Sequence, residues 1–179
     1  MALRYALLAA LHESPATGYD LNQRFGRRQG FVWNVSHQQI YQELRRLREE
    51  GLLSVETEPQ AARPDRKRYT VTPSGEAALR DWLATPQPRP PTRDPLLVKL
   101  FAGDLVDDAT LLKEFASLRR DWEAQLAAYR EIEAYWFSTP EKLSRHYRLQ
   151  YLALRRGITA AEGWLEWLEE AEGVVGGGS

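Results

Sequence analysis

Hydrophobic residues recur at intervals of three and four along the start of the chain, a spacing typical of helices. Leucines at such intervals predict a first helix over 2–12. The segment SPATG, 14–18, predicts a turn because it combines a proline with a glycine. The same helical spacing predicts a second helix over 19–28 and a third over 37–50. The chain is therefore expected to begin with three short helices.

The third helix carries recognisable signals at both ends. Ser36 and Gln39 have the spacing of a capping box, in which each side chain bonds the backbone of the other residue. Gly51 suits the first position beyond the helix, where a positive φ is common. The apolar stripe of this helix consists of Ile40, Leu44 and Leu47. This stripe predicts that one face packs on a core and leaves the opposite, polar face outward.

After Gly51 the hydrophobic period changes from that of a helix to that of a strand. The runs 52–58 and 68–72 alternate and are joined by a polar loop with two prolines, which predicts a β-hairpin. A fourth helix follows, with Thr72 or Ser74 as its N-cap. Three helices followed by a hairpin is the order of a winged helix-turn-helix domain. In such domains the third helix enters the major groove of DNA and the hairpin, or wing, contacts backbone or minor groove.

The second half of the chain is predicted to be helical. A short helix is expected from residue 96, a long one over 107–136, and another from Pro140 to about residue 171. The predicted fold is thus mainly α with a small β-hairpin. Its predicted parts are a winged helix-turn-helix domain over 1–84, a proline-rich linker over 85–95, a helical dimerisation and effector domain over 96–172, and a flexible tail over 173–179.

Two helices of about 30 residues extend roughly 45 Å each, and such a pair is too thin to bury its own apolar stripes. A second copy of the chain is the simplest partner. The residues expected to form the dimer are Leu111, Phe115, Leu118, Tyr147, Leu154, Ile158, Trp164 and Leu168. A homodimer would place two recognition helices about 34–36 Å apart, or a multiple of this, on an inverted repeat.

Composition and charge narrow the function. The 179 residues include no cysteine, which excludes disulfides and thiolate chemistry, and no apolar run reaches membrane-spanning length. We therefore expect a cytoplasmic protein. The net charge is −1, but residues 1–85 carry +2 and residues 86–179 carry −3. Four basic residues and one acid in RPDRKR, 63–68, form a local patch suited to phosphates.

The outer face of the third helix and the wing supply the candidate DNA contacts. Glutamine can bond adenine through two hydrogen bonds, and arginine can do the same with guanine. An ordinary solvated helix face is the alternative for the helix, packing is the alternative for Tyr19, and Arg68 could lie in the strand against the domain. The candidate residues are Tyr19, Ser36, His37, Gln38, Gln39, Tyr41, Gln42, Arg45, Arg63, Arg66, Lys67 and Arg68.

Aromatic residues in the second half suggest a site for a flat, phenolic or polyketide-like effector. Packing in a core or a dimer seam is the alternative. The candidate ligand residues are His37, Trp122, Tyr129, Trp136 and Tyr151. The sequence offers no catalytic constellation, no metal-ligand spacing and no phosphate-binding glycine loop, so neither an enzyme nor a cofactor is expected.

Three segments carry a family resemblance: ALLAALHESPATGYDLNQRF, SHQQIYQELRRLREEGLL and RKRYTVTPSGEAALRDWL. They resemble the PadR family of bacterial transcriptional regulators over residues 3 to about 84. The second half is similar to the helical C-terminal domain of the longer PadR-like proteins in length and aromatic content. The resemblance implies a homodimeric regulator, usually a repressor, released from its operator by a small molecule. The alternative is a protein-interaction module on the same scaffold, which has no need of a basic wing.

Overall fold

A computed structural model describes residues 2–27, 36–58, 66–88 and 94–177. The chain divides into two compact units, Met1–Arg89 and Pro90–Ser179. The elements of the first unit are α1 (Ala2–Glu13), β1 (Ala16–Thr17), α2 (Gly18–Arg27), α3 (His37–Glu49), β2 (Leu53–Glu58), β3 (Arg66–Val71) and α4 (Pro73–Ala84). The predicted order of three helices, a hairpin and a fourth helix is confirmed.

The first unit contains a small antiparallel sheet of three strands. Its strand order is β1-β3-β2, and β2 pairs with β3 in a register that runs from Leu53 opposite Val71 to Glu58 opposite Arg66. Strand β1 was not predicted, because its two residues lie in the segment interpreted as a turn. It pairs with β3, placing Thr17 opposite Arg68, and so joins the start of α2 to the wing.

Helix α3 has the predicted ends and the predicted buried face. Its apolar stripe, Ile40, Leu44 and Leu47, is completely buried in a leucine-rich core shared with α1 and α2. Gly51 has a φ of 73°, as expected for its position. The Leu52 N–H donates to the Leu47 carbonyl and the Gly51 N–H to the Arg48 carbonyl, which completes a Schellman motif. The orientation of α3 is therefore fixed by packing and by both caps.

The second unit is built from a short helix and two long ones. These are α5 (Pro95–Phe101), α6 (Asp108–Trp136) and α7 (Arg145–Gly176), with single 3-10 turns at Gly103–Leu105 and Pro140–Lys142. Helices α6 and α7 pack against each other. No helix in the described part of the chain is both long and apolar enough to cross a bilayer.

Both predicted ends of the last helix were wrong. Pro140 begins only a 3-10 turn, and the Ser144 side chain caps α7 instead. The helix also continues to Gly176, within the segment predicted as a flexible tail. A glycine inside a helix costs about 1 kcal/mol relative to alanine, which the backbone hydrogen bonds of a long helix can tolerate.

A polar network joins α6 to α7. The Glu133 carboxylate accepts hydrogen bonds from Arg130 at 2.6 Å, from the Tyr151 hydroxyl at 2.9 Å and from Arg155 at 3.3 Å. Burial alone would raise the pKa of Glu133, but these donors outweigh it and lower that pKa. The network therefore favours the ionised form of Glu133 in the folded protein.

Candidate nucleic-acid interface

The outward face of α3 is polar along its first two turns. All seven residues proposed from the sequence are exposed: Ser36, His37, Gln38, Gln39, Tyr41, Gln42 and Arg45. The Gln38 and Gln42 side chains have no hydrogen bond to any other described residue, so both amides are available to a ligand. Arg45 differs, because its guanidinium donates to Glu49 at 2.9 Å.

The capping box at the start of α3 engages one of the predicted base-reading residues. The Gln39 amide oxygen accepts from the Ser36 backbone N–H at 2.9 Å, and the Ser36 hydroxyl oxygen accepts from the Gln39 N–H at 3.3 Å. The predicted capping box is thus confirmed. Because its carbonyl oxygen is already used, Gln39 is left with only donor groups to offer to a base.

Tyr41 lies where α3 meets the start of α2. A Cβ atom placed on Gly18 would lie 2.6 Å from the Tyr41 Cζ, so only a glycine at position 18 allows the ring its present position. The His37 ring packs on Tyr41 with 4.6 Å between ring centroids. Tyr19, the chain neighbour of Gly18, is 59% exposed, and its hydroxyl accepts from the Gln23 amide. Three ring side chains of the proposed interface therefore cluster near the α2 N-terminus.

A second capping arrangement fixes the start of α2. The Asp20 carboxylate accepts from the Thr17 backbone N–H at 3.0 Å and from its hydroxyl at 2.8 Å, while the Thr17 hydroxyl oxygen accepts from the Asp20 N–H. Burial would raise the pKa of Asp20, but the Thr17 bonds outweigh it and the pKa is lowered. This pair was not singled out from the sequence, although a threonine three residues before an aspartate is a capping signal.

The described part of the wing has three basic side chains, of which two are exposed and one is half-buried. Arg66 and Lys67 are exposed on β3, whereas Arg68 is half-buried. Arg68 lies close enough to Asp20 to lower the pKa of that carboxyl group. This placement favours the alternative in which Arg68 lies in the strand against the domain. Arg63, also proposed from the sequence, lies outside the described residues.

Four of the five residues proposed to bind an effector lie along α6 and α7 of the second unit. Trp122 stacks on Trp164, while Tyr129 lies in contact distance of Gly157. Trp122 and Trp136 are separated by about 21 Å of the same helix. Within one chain a small molecule cannot contact both rings, and the role of these residues in effector binding stays a prediction.

Four of the proposed dimerisation residues are buried inside a single chain. They are Phe115, Leu154, Ile158 and Leu168, each with no exposed surface. Such residues hold α6 and α7 together and have no surface left for a second copy, so their proposed role is corrected to that of core residues. Within the described ranges, no group of three or more histidine and acidic side chains is placed to hold a metal ion.

The three helices, the hairpin and the exposed polar face of α3 define a winged helix-turn-helix protein. Residues 7–81 match the transcriptional regulator PadR-like family, and residues 92–175 match the family described as virulence activator alpha C-term. This chain belongs to the PadR-like family of transcriptional regulators.

Among the proteins and solved structures that match nearly the whole chain are two relatives and three structures. A probable transcriptional regulator of Mycobacterium tuberculosis, Rv1176c, is 38% identical over 95% of each chain. The negative transcriptional regulator PadR of Bacillus subtilis is 31% identical over 97% of each. Its complex with operator DNA has a TM-score of 0.85 at 27% identity, covering 98% of this chain and 99% of that one.

The other two structures show the same fold with different partners or roles in their names. The B. subtilis PadR complex with p-coumaric acid has a TM-score of 0.81 at 26% identity, covering 98% and 99% of the two chains. The Vibrio cholerae virulence activator AphA has a TM-score of 0.84 at 30% identity, covering 99% of each chain. The proteins similar to this chain thus include both a negative regulator, PadR, and an activator, AphA.

Proposed function

We propose that this protein is a homodimeric repressor that binds an inverted-repeat operator and leaves it when a small aromatic effector binds. The first unit would contact DNA, and the second would provide dimerisation and effector binding. The observation that carries the proposal is the pair of unengaged amides, Gln38 and Gln42, on a helix whose position is fixed by its core and both caps. Rigid presentation of base-reading groups is what sequence recognition requires.

The proposed division of labour on DNA follows from the chemistry of each group. Gln38 and Gln42 would contact base edges, and Arg66, Lys67 and the Tyr19 hydroxyl would contact phosphates. The operator complex of the B. subtilis relative supports this assignment at the level of the fold. Gln39 contributes chiefly by holding the start of α3.

Replacing Gln38 or Gln42 with alanine tests base reading. Each change should weaken binding to the selected operator by about 1–3 kcal/mol and leave binding to random DNA nearly unchanged. The matched control is Gln125→Ala, at an exposed glutamine of α6. The operator itself would come from sequencing genomic fragments retained by the purified protein. An equal loss on operator and random DNA would show that this face of α3 does not read bases.

We also propose that the protein acts as a repressor and has no catalytic activity. The negative regulator of B. subtilis, 31% identical, supports repression, whereas the similarity to the virulence activator AphA supports activation. Deleting the gene should raise transcription from the promoter next to the selected operator. A fall in that transcription would establish activation instead.

A further inference from the structure

The start of α2 contacts both elements that are proposed to meet DNA. Toward α3, Gly18 allows the Tyr41 ring to lie directly against the chain. Toward the wing, the residues just before α2 form strand β1, in which Thr17 lies opposite Arg68. Because β3 is the middle strand of the sheet, β1 joins the wing hairpin to the helices. This short segment therefore links α3 to the wing.

Strand β1 depends on contacts outside the sheet, because two residues form few bonds to a neighbouring strand. Asp20 supplies two such contacts: its Oδ2 atom accepts from the Thr17 N–H at 3.0 Å and from the Thr17 hydroxyl at 2.8 Å. An N–H on the outer side of an edge strand has no partner within the sheet. Thr17 is only 7% exposed, so without Asp20 a nearly buried N–H and hydroxyl would lose their acceptor.

Asp20 also acts on the wing through its charge. Arg24 and Arg68 both lie close enough to attract its carboxylate. The Arg24 guanidinium is engaged elsewhere as well, since it donates to the Ser14 hydroxyl at 2.8 Å and to the Ala10 carbonyl at 3.1 Å. Arg68 is half-buried on β3. Arg68 is therefore the wing residue that the Asp20 carboxylate attracts toward the start of α2.

The alternation of side chains along β3 carries this constraint to the exposed end of the wing. Arg66 and Arg68 lie on the same face of the strand, about 7 Å apart along it. Arg66 and Lys67 are exposed and are the wing residues proposed to contact phosphates. Their positions relative to α3 thus depend on how firmly β3 is held at Arg68.

We infer that Asp20 is a positioning residue, which contacts no DNA itself but holds β3 so that the wing cations and α3 engage one DNA site together. The inference rests on the proposed phosphate contacts of the wing and adds the residue that keeps them in place. It also predicts the sign of an effect. Removing a negative charge close to DNA normally strengthens binding. Removing a positioning carboxylate weakens binding instead, because the wing must then be ordered when DNA binds.

The test compares Asp20→Asn with Asp81→Asn, which removes the same charge from an exposed position of α4. Fluorescence titrations of the full-length protein with labelled operator should show binding at least about twofold weaker for Asp20→Asn. Asp81→Asn should bind as tightly as the unsubstituted protein or more tightly. In a protein that already carries Arg66→Ala and Lys67→Ala, Asp20→Asn should have no further effect on affinity, since the contacts that it positions are lost.

Hydrogen exchange of the free protein gives a readout that does not involve DNA. Asp20→Asn should speed exchange in peptides that cover β1 and β3 and leave exchange in α3 unchanged. Thr17→Val, which removes the hydroxyl but keeps the branched shape, should act in the same direction. The midpoint of thermal unfolding should stay well above the temperature of the titrations, which separates loosening of the wing from unfolding of the domain. Should Asp20→Asn fail to fold, the same comparisons made with Thr17→Val decide the inference.

Three results would overturn the positioning role and leave the proposed function standing. Operator binding by Asp20→Asn that is as tight as by Asp81→Asn would show that the Asp20 carboxylate does not support DNA binding. Fully additive losses in the combined variant would show that Asp20 does not act through the wing. Unchanged exchange in β3 would show that the wing is held without Asp20. If the protein with Arg66→Ala and Lys67→Ala instead keeps its full affinity and salt dependence, the proposed wing contacts are refuted, and the positioning role with them.

Discussion

Gly18→Ala should separate the stability of the winged domain from its DNA affinity. The added methyl group would lie 2.6 Å from the Tyr41 Cζ and 2.9 Å from its hydroxyl oxygen, whereas ordinary contacts begin at 3.4 Å. The ring must therefore withdraw by about 1 Å. Because Tyr41 is 41% exposed, the ring can turn into solvent without moving the backbone. We expect a loss of less than about 1 kcal/mol in the free energy of unfolding.

The effect on DNA should be larger than the effect on stability. A base contact contributes about 1–3 kcal/mol, so displacing a Tyr41 hydroxyl that reaches a base edge should weaken operator binding by at least about fivefold. Thermal unfolding and a fluorescence titration with labelled operator measure the two quantities. The control is a double-mutant cycle with Tyr41→Ala, in which Gly18→Ala should have no further effect once the ring is gone. A loss of several kcal/mol in stability with unchanged affinity would refute this reasoning.

Four further outcomes are expected. Replacing Arg66 and Lys67 together with alanine should weaken binding to operator and to random DNA alike. The slope of log K against log salt concentration should fall by about 1 per lost phosphate contact, and an unchanged slope would show that the wing does not contact DNA. Leu47→Ala should cost about 2–5 kcal/mol in denaturant unfolding, because its fully buried side chain would leave a cavity. The second unit should lose stability as the pH falls through the lowered pKa of Glu133, and Glu133→Gln should flatten that acid dependence; a variant with the original dependence would contradict the network. A chain ending at Ala84 should be monomeric and bind the operator poorly, and tight dimeric binding by this fragment would place the dimer interface elsewhere.

Features decided by neighbouring residues were predictable from the sequence, and features decided by distant partners were not. The caps of α3 depend on Ser36, Gln39 and Gly51, each within the helix or next to it, and their spacing gave both ends. Strand β1 has only two residues and forms because β3 pairs with it, so no local sequence pattern predicts it. Pro140 suits the first turn of either an α-helix or a 3-10 helix, and the sequence cannot distinguish them.

The same limit applies to the candidate sites. Periodicity shows that a stripe is apolar, but it does not show whether the chain's own helix or a second copy covers it. Phe115 and Ile158 therefore looked like dimer contacts although they are buried within one chain.

The engagement of Gln39 in its cap limits how much sequence information one subunit can extract from DNA. If Gln38, Gln42 and Tyr41 read base edges as proposed, a half-site is specified at roughly three base pairs, and a symmetric pair of half-sites at about six. About one random site in 4,000 would satisfy such a code, which means hundreds of accidental matches among the roughly 10⁶ or more sites of a genome. Discrimination must then come from the separation between half-sites and from the stiffness of the DNA between them. Selection on such an operator should therefore act on bases that no side chain touches.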